Sequence, residues 1–303
     1  MSNTHHHHID PQAGDRRIAL AVAVNLLLTV AQIIGGILSG SLALIADALH
    51  NLSDAASLVI AFVARRIARR PADEDMTFGY GRAEVVAALI NFTTLILLAI
   101  YLAYEAVLRL INPTDVEGWT VVIIAAIALA VDTITALLTY AMSKSSANIR
   151  AAFLHNLADA LGSVAVIVAG TLILLYDWRL ADPLITLFIS AYILWHALSE
   201  IGGVIRILML GAPAGMAFSD VAAAITAQDG VSSTHNLHLW QMQEHEPALE
   251  AHLVIAPGRW EEADAIKSAL KHTLASRFDI HHVTFETECA AHACPSPRLI
   301  GHG

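Results

Sequence analysis

The order of apolar and polar positions divides the chain into two unlike parts. Six apolar segments run at about 17–39, 42–66, 80–111, 119–142, 149–176 and 182–208. Each is as long as the roughly 20 residues a helix needs to cross a bilayer. The breaks between them are short and polar or helix-breaking: Gly40-Ser41, Pro71 to Asp75, Asn112-Pro113, Ser143 to Ser146, and Asp177-Trp178-Arg179. After about residue 213 the pattern changes. Residues 217–229 read as a helix, with Asp220 near its start and Gly230 ending it. His235 to Met242 and Ala248 to Ala256 alternate like two strands joined around Glu246-Pro247. Residues 260–276 predict an amphipathic helix with Ala263, Ile266, Ala269, Leu270 and Leu274 on one face, and His282 to Glu288 a last strand. The expected fold is an all-α six-helix membrane bundle over 16–210, then a small α+β ferredoxin-like cytosolic domain over 211–290. A polar His-containing tail (1–15) and a flexible tail (291–303) flank them.

Composition strengthens the membrane reading. Charged residues are 15 % and hydrophobic residues 56 %, against about 25 % charged in ordinary soluble domains. The net charge of −10, with no basic stripe on the soluble part, argues against nucleic acid as a partner. In the loops, Arg16, Arg17, Arg65, Arg66, Arg69, Arg70, Arg82, Lys144, Arg150 and Arg206 fall on one side of the bilayer and only Arg109 and Arg179 on the other. That bias places both termini in the cytoplasm. The first apolar run is too long for a cleavable signal peptide. His5 to His8 fit either an expression tag or a metal-gathering tail.

The chemistry lies in a sequence that occurs twice. His50-Asn51-Leu52-Ser53-Asp54-Ala55 sits in the second span and His155-Asn156-Leu157-Ala158-Asp159-Ala160 in the fifth. A His and an Asp four residues apart stack on one helix face. Two such helices facing each other present two imidazoles and two carboxylates, enough to close a tetrahedral site for zinc. Antiparallel spans would bring the two motifs to similar depth. Ionisable groups at that depth mark an ion path. Asp47 shares the helical face of His50 and Asp54; it orients a ligand, or lines the external half of the path, or is a helix-end acid near the outer surface. Asp132, in the fourth span, serves as a relay or adjoining group, or makes a structural hydrogen bond. Asn91 is expected to bond between helices.

The soluble part offers His235, His238, His252, His281, His282, Glu286 and Glu288, and the end of the chain Cys289, His292 and Cys294. On an alternating strand His235 and His238 point to opposite faces and do not share one metal. The spacing of Cys289 and Cys294 suits a metal better than a structural disulfide. There is no H-E-x-x-H motif and no Gly-rich phosphate loop. A four-ligand site without a spare base favours carrying over catalysis, so an enzyme is disfavoured; a metal sensor that binds without transport is the remaining rival.

The chain resembles the cation diffusion facilitators. The resemblance rests on Ala46 to Asp54, on Phe78-Gly79-Tyr80-Gly81-Arg82-Ala83-Glu84, on Asn148 to Ser163, on Asp182-Pro183, and on His235 to Trp240. It implies a homodimer in a lipid bilayer, in the bacterial cytoplasmic membrane, that exports Zn2+, sometimes Cd2+ or Co2+, in exchange for protons. Carried over by position, His50, Asp54, His155 and Asp159 form the transport site. His235, His252 and Glu288, with His281 as a further candidate, form a cytosolic site for a regulatory Zn2+, to which Cys289, His292 and Cys294 add tail ligands. Imidazole at the first position suits zinc, whereas an all-carboxylate set suits magnesium or manganese. Zinc binding displaces protons from such ligands, and protons arriving from outside would compete it off. The sequence departs from the family in two places: Met76 and Tyr80 stand where some relatives have loop His ligands, and Leu210 where an acid is common, which leaves Arg82 without that partner.

Overall fold

The computed structural model describes residues 11–143, 147–244, 246–294 and 297–301. His5 to His8 and most of the Ser143 to Ser146 link lie outside them. Six long helices are present among the described residues: α1 (Pro11–Ser39), α2 (Leu42–Ala68), α3 (Ala83–Ile111), α4 (Gly118–Ser143), α5 (Ala147–Tyr176) and α6 (Ala181–Leu208). The first starts earlier than the apolar run predicts, with Pro11 well placed in its first turn. Five helices carry stretches long and apolar enough to cross a membrane, and α1 adds the shorter apolar run Val24–Ser39.

The chain forms two units, one of residues 1–60 and 90–199, the other of 61–89 and 200–303. In the first, the core is built from Leu44 on α2, Leu95, Ala99 and Leu102 on α3, Val121 and Ala125 on α4, Val166 on α5, and Ile189 and Ile193 on α6. Small residues let the helix backbones approach closely. Gly36 is one: a Cβ there would lie 2.5 Å from Ile45. The outward faces carry Leu27, Leu38, Leu97, Leu137, Leu161 and Phe188, all well exposed, as lipid-facing positions require.

In the second unit, α7 (Phe218–Thr226), β1 (Val231–Gln243), β2 (Glu246–Ile255), α8 (Ala263–Phe278) and β3 (His282–Cys289) follow in the expected order. The sheet runs β1-β2-β3, with β1 antiparallel and β3 parallel to β2. Leu237, Leu249, Leu253, Ile255, Ile266, Leu270, Leu274 and Ile280 fill its core. Two features depart from simple alternation. The β1–β2 register shifts between His235 and His238, where Asn236 takes φ +45°. The stretch after β3 is not a free tail either. The Asn236 and Leu237 amides donate to the Arg298 and Leu299 carbonyls at 2.9 and 3.0 Å. β1 is an edge strand, and this returning segment satisfies two of its free amides, while Gln241 donates to the Gly211 carbonyl. The α2–α3 loop belongs to this unit. Its Tyr80 hydroxyl donates to Asp73 at 2.8 Å, Phe78 meets His282 edge-on, and Arg82 Nε donates to the Met242 carbonyl at 2.8 Å. Arg82 thus finds a backbone acceptor where the sequence offered no acid at position 210.

Candidate metal centres

α2 and α5 bring the two copies of the repeated motif together. The His50 Nε2 lies 3.7 Å from Asp54 Oδ2 on its own helix and 3.5 Å from Asp159 Oδ1 on the other. The His155 Nε2 lies 3.1 Å from Asp54 Oδ2 and 3.5 Å from Asp159 Oδ2. The imidazole centroids are 6.1 Å apart. Each ring therefore faces one carboxylate from each helix. His50, Asp54 and Asp159 each offer a ligand atom within 4.8 Å of the others. His50 Nδ1, Asp54 Oδ2 and Asp159 Oδ1 are buried without an aligned hydrogen bond. The cluster opens on the His155 side, whose side chain is 49 % exposed against 10 % for Asp159.

Asp47 and Asp132 stand beside this group without joining it. Asp47 is buried and accepts a hydrogen bond from Gln32 Nε2 at 2.6 Å, which rules out the reading as a helix-end acid near the surface. The Gln32 carbonyl accepts from Asn51 at 3.3 Å, tying α1 to α2 next to His50. Asp132 accepts from the Ser163 hydroxyl at 3.1 Å, one turn along α5 from Asp159. Asn91 accepts from Ser57. Sequence reasoning missed Gln32; the available signal was an amide within the apolar run of α1, which also carries Asn25.

The second cluster is made by strand register. His235 and His252 are partners across β1 and β2, with ring centroids 5.0 Å apart. Glu288 Oε1, from β3, lies 3.2 Å from His235 Nε2 and 2.7 Å from His252 Nδ1. The chain then turns so that the Cys294 amide donates to Glu288 Oε2 at 3.1 Å and its thiol lies 3.5 Å from Oε1. These four residues again offer donors within 4.8 Å of one another. Burial pushes the Glu288 carboxyl up, but the hydrogen bonds from His252 and the Cys294 amide, with His235 nearby, outweigh it and hold it below the usual range. The Cys294 thiol is pushed up by burial and by the Glu288 carboxylate.

The remaining soluble candidates go elsewhere. His238 meets Glu250 at 2.9 Å beyond the β1 irregularity, His281 meets Asp279 at 2.8 Å, and Glu286 touches the cluster only through His252 at 3.3 Å. Cys289 and His292 lie 3.0 Å from each other, so of the expected tail ligands Cys294 alone reaches the cluster.

Comparison with known proteins covers both units. Residues 18–209 match the model of the cation efflux transmembrane domain, and residues 213–289 that of the cytoplasmic domain of cation efflux proteins. A metal cation efflux system protein of Cupriavidus metallidurans is 34 % identical over 98 % of this chain and 96 % of its own. A cadmium, cobalt and zinc/H(+)-K(+) antiporter of Bacillus velezensis is 34 % identical over 96 % of this chain and 93 % of its own. A proton-coupled zinc antiporter of Mus musculus is 33 % identical over 93 % of this chain and 80 % of its own. Membrane-spanning helices, a three-stranded α+β domain and these matches agree on a transporter and not an enzyme: the chain belongs to the cation efflux, or cation diffusion facilitator, family of metal transporters.

Proposed function

We propose that this protein exports Zn2+ from the cytoplasm, and Cd2+ or Co2+ with it, in exchange for protons, by alternating access around His50, Asp54, His155 and Asp159. The observation that carries the reading is the cross-pairing of the two helices. The His–Asp separations of 3.1 to 3.7 Å lie near the edge of a tetrahedron about zinc, about 3.4 Å for bonds near 2.05 Å; His50, Asp54 and Asp159 form the compact set, and His155 would join it by closing on the side where it stands exposed. Carboxylate oxygens whose nearest polar neighbours are imidazole nitrogens, without aligned hydrogen bonds, suit a divalent cation between them. The names of relatives, a zinc antiporter coupled to protons among them, support the same substrate and counter-ion.

The chemistry follows from the donor set. Zinc takes imidazole neutral and carboxylate ionised, so loading the site releases protons and acidity unloads it. With two carboxylates the loaded site carries no net charge, which suits passage through a low-dielectric region. Export then needs only that the site face the cytoplasm at low acidity and the outside at higher acidity. The protein works as a homodimer in a bacterial cytoplasmic membrane with both termini inside, and the match of its soluble part to the cytoplasmic dimerising domain supports this. His235, His252, Glu288 and Cys294 hold a second zinc that regulates transport.

The test is zinc-for-proton exchange in proteoliposomes, read with a zinc dye and a pH dye together. His50→Ala and Asp159→Ala each abolish both signals while the wild-type chain gives both. Full exchange by either variant defeats the shared site. Zinc binding by the wild type without flux turns the reading to a sensor.

A further inference from the structure

The turn between α1 and α2, at the end of the bundle the proposed orientation places outside, is gathered in by other helices. Gly40 takes φ +74°, and a Cβ there would lie 2.8 Å from the Asp115 carbonyl oxygen, so the turn admits only glycine. The Ser41 hydroxyl accepts from the Leu44 amide at 3.1 Å, as the N-cap of α2. That hydroxyl donates to Asp182 Oδ1 at 2.5 Å. Asp182 lies in the first turn of α6 and is fully buried. Its Oδ2 accepts the Leu42 amide at 2.8 Å and its Oδ1 the Ala43 amide at 3.2 Å. Arg109, in the last turn of α3, donates to the Gly40 carbonyl and approaches Asp182 Oδ2 at 3.9 Å.

A helix normally caps its first amides with its own side chains or with water. Here a carboxylate from a helix about 140 residues away in sequence does so, and its charge also faces the positive end of the α2 dipole. Charge-assisted bonds of this kind are the strong ones. Parting α2 from α6 would strand a buried carboxylate, two amides and a hydroxyl together. This joint therefore resists opening.

Resting on the transport reading above, we infer that Asp182 is a positioning residue that fastens α2 to α6 and, through Arg109, to α3, so that the site changes its access by α2 tilting about its Ser41 end. The lever is long enough. His50 and Asp54 stand eight and twelve residues along α2 from Leu42, about 12 and 18 Å at 1.5 Å per residue. A tilt of about 10° moves them by about 2 and 3 Å on that geometry. That is enough to break a ligand set held at separations of 3.1 to 3.7 Å.

The experiment compares zinc flux of the full chain and its variants in proteoliposomes over a range of zinc concentrations. In Asp182→Asn one oxygen becomes an amide nitrogen facing an N–H and the charge is lost. Maximal flux falls at least tenfold while half-saturation moves less than threefold, because the ligands are untouched and only the joint is loosened. Asp182→Glu keeps the charge and stays within about fivefold of the wild type. Should Asp182→Asn fail to fold, Arg109→Gln gives the same split in milder form. Wild-type flux in Asp182→Asn, half-saturation rising in proportion to the loss of flux, or Asp182→Glu faring no better than Asp182→Asn each overturns the inference. Absence of flux in the wild-type chain instead strikes the transport reading.

Discussion

The two histidine–carboxylate clusters are alike in composition and opposite in construction. In the membrane unit, four donors come from two helices and nothing but i, i+4 spacing is needed to aim them. In the second unit, two strands supply one His each, a third strand supplies Glu288, and a returning segment supplies Cys294. The first set has only nitrogen and oxygen donors and stands half open on the His155 side. The second includes sulfur and places His235 almost wholly out of solvent. A carrier must release its ion each cycle, whereas a regulatory site must hold one through many. Borderline donors in an accessible cluster suit the first task, and a softer, more enclosed set suits the second. Deleting one carboxylate from each cluster is the most forceful way to break the comparison. Asp54→Ala is expected to abolish zinc-for-proton exchange in proteoliposomes, whereas Glu288→Ala leaves maximal flux within about threefold of the wild type. Metal analysis of the purified chains shows the loss of one zinc in each. Comparable loss of flux in both variants would erase the division of labour.

A smaller change sharpens the same contrast. Cys294→Ser replaces a soft donor with a poor one and leaves the amide that donates to Glu288 Oε2 in place. Zinc affinity at the cytosolic cluster is expected to fall about tenfold, about 1.4 kcal/mol, with zinc content at the membrane cluster unchanged. Competition with a chelator of known affinity measures the first and flux the second. Unaltered affinity would leave the cluster with three ligands, and the returning segment would then serve only to cover the β1 edge.

These clusters also show what a sequence discloses. His50 with Asp54 and His155 with Asp159 are legible because helical periodicity is local, and a duplicated motif inside apolar runs leaves little else for the residues to do. The number and order of the long helices are legible for the same reason, though the start of α1 is not. The cytosolic cluster is harder. His235 meets His252 only through a register that includes an irregularity at Asn236, and that irregularity sends His238 to Glu250. Cys294 reaches Glu288 because the chain reverses after β3, which no spacing rule announces. The Asp182 joint spans α6 to α2 and was visible in the sequence only as an Asp-Pro pair. Long-range hydrogen bonds of this kind depend on packing that exists only once the bundle has formed.

The least forceful test concerns the charge on Glu288 without metal. Its carboxyl is held below the usual range: burial raises it, and the bonds from His252 and the Cys294 amide with nearby His235 more than offset that. A carboxyl whose folded pKa is depressed adds stability that is complete above its unfolded pKa, about 4.3 for Glu. That stability is lost as pH falls through the lower folded value. Glu288→Gln keeps the shape and removes the ionisation. In chelator-treated protein the melting temperature of the wild type should therefore exceed that of Glu288→Gln near neutrality. The gap should close as pH falls from about 5 through 4.3 and below. A gap that stays constant down to that range would mean that packing, not charge, accounts for what Glu288 contributes.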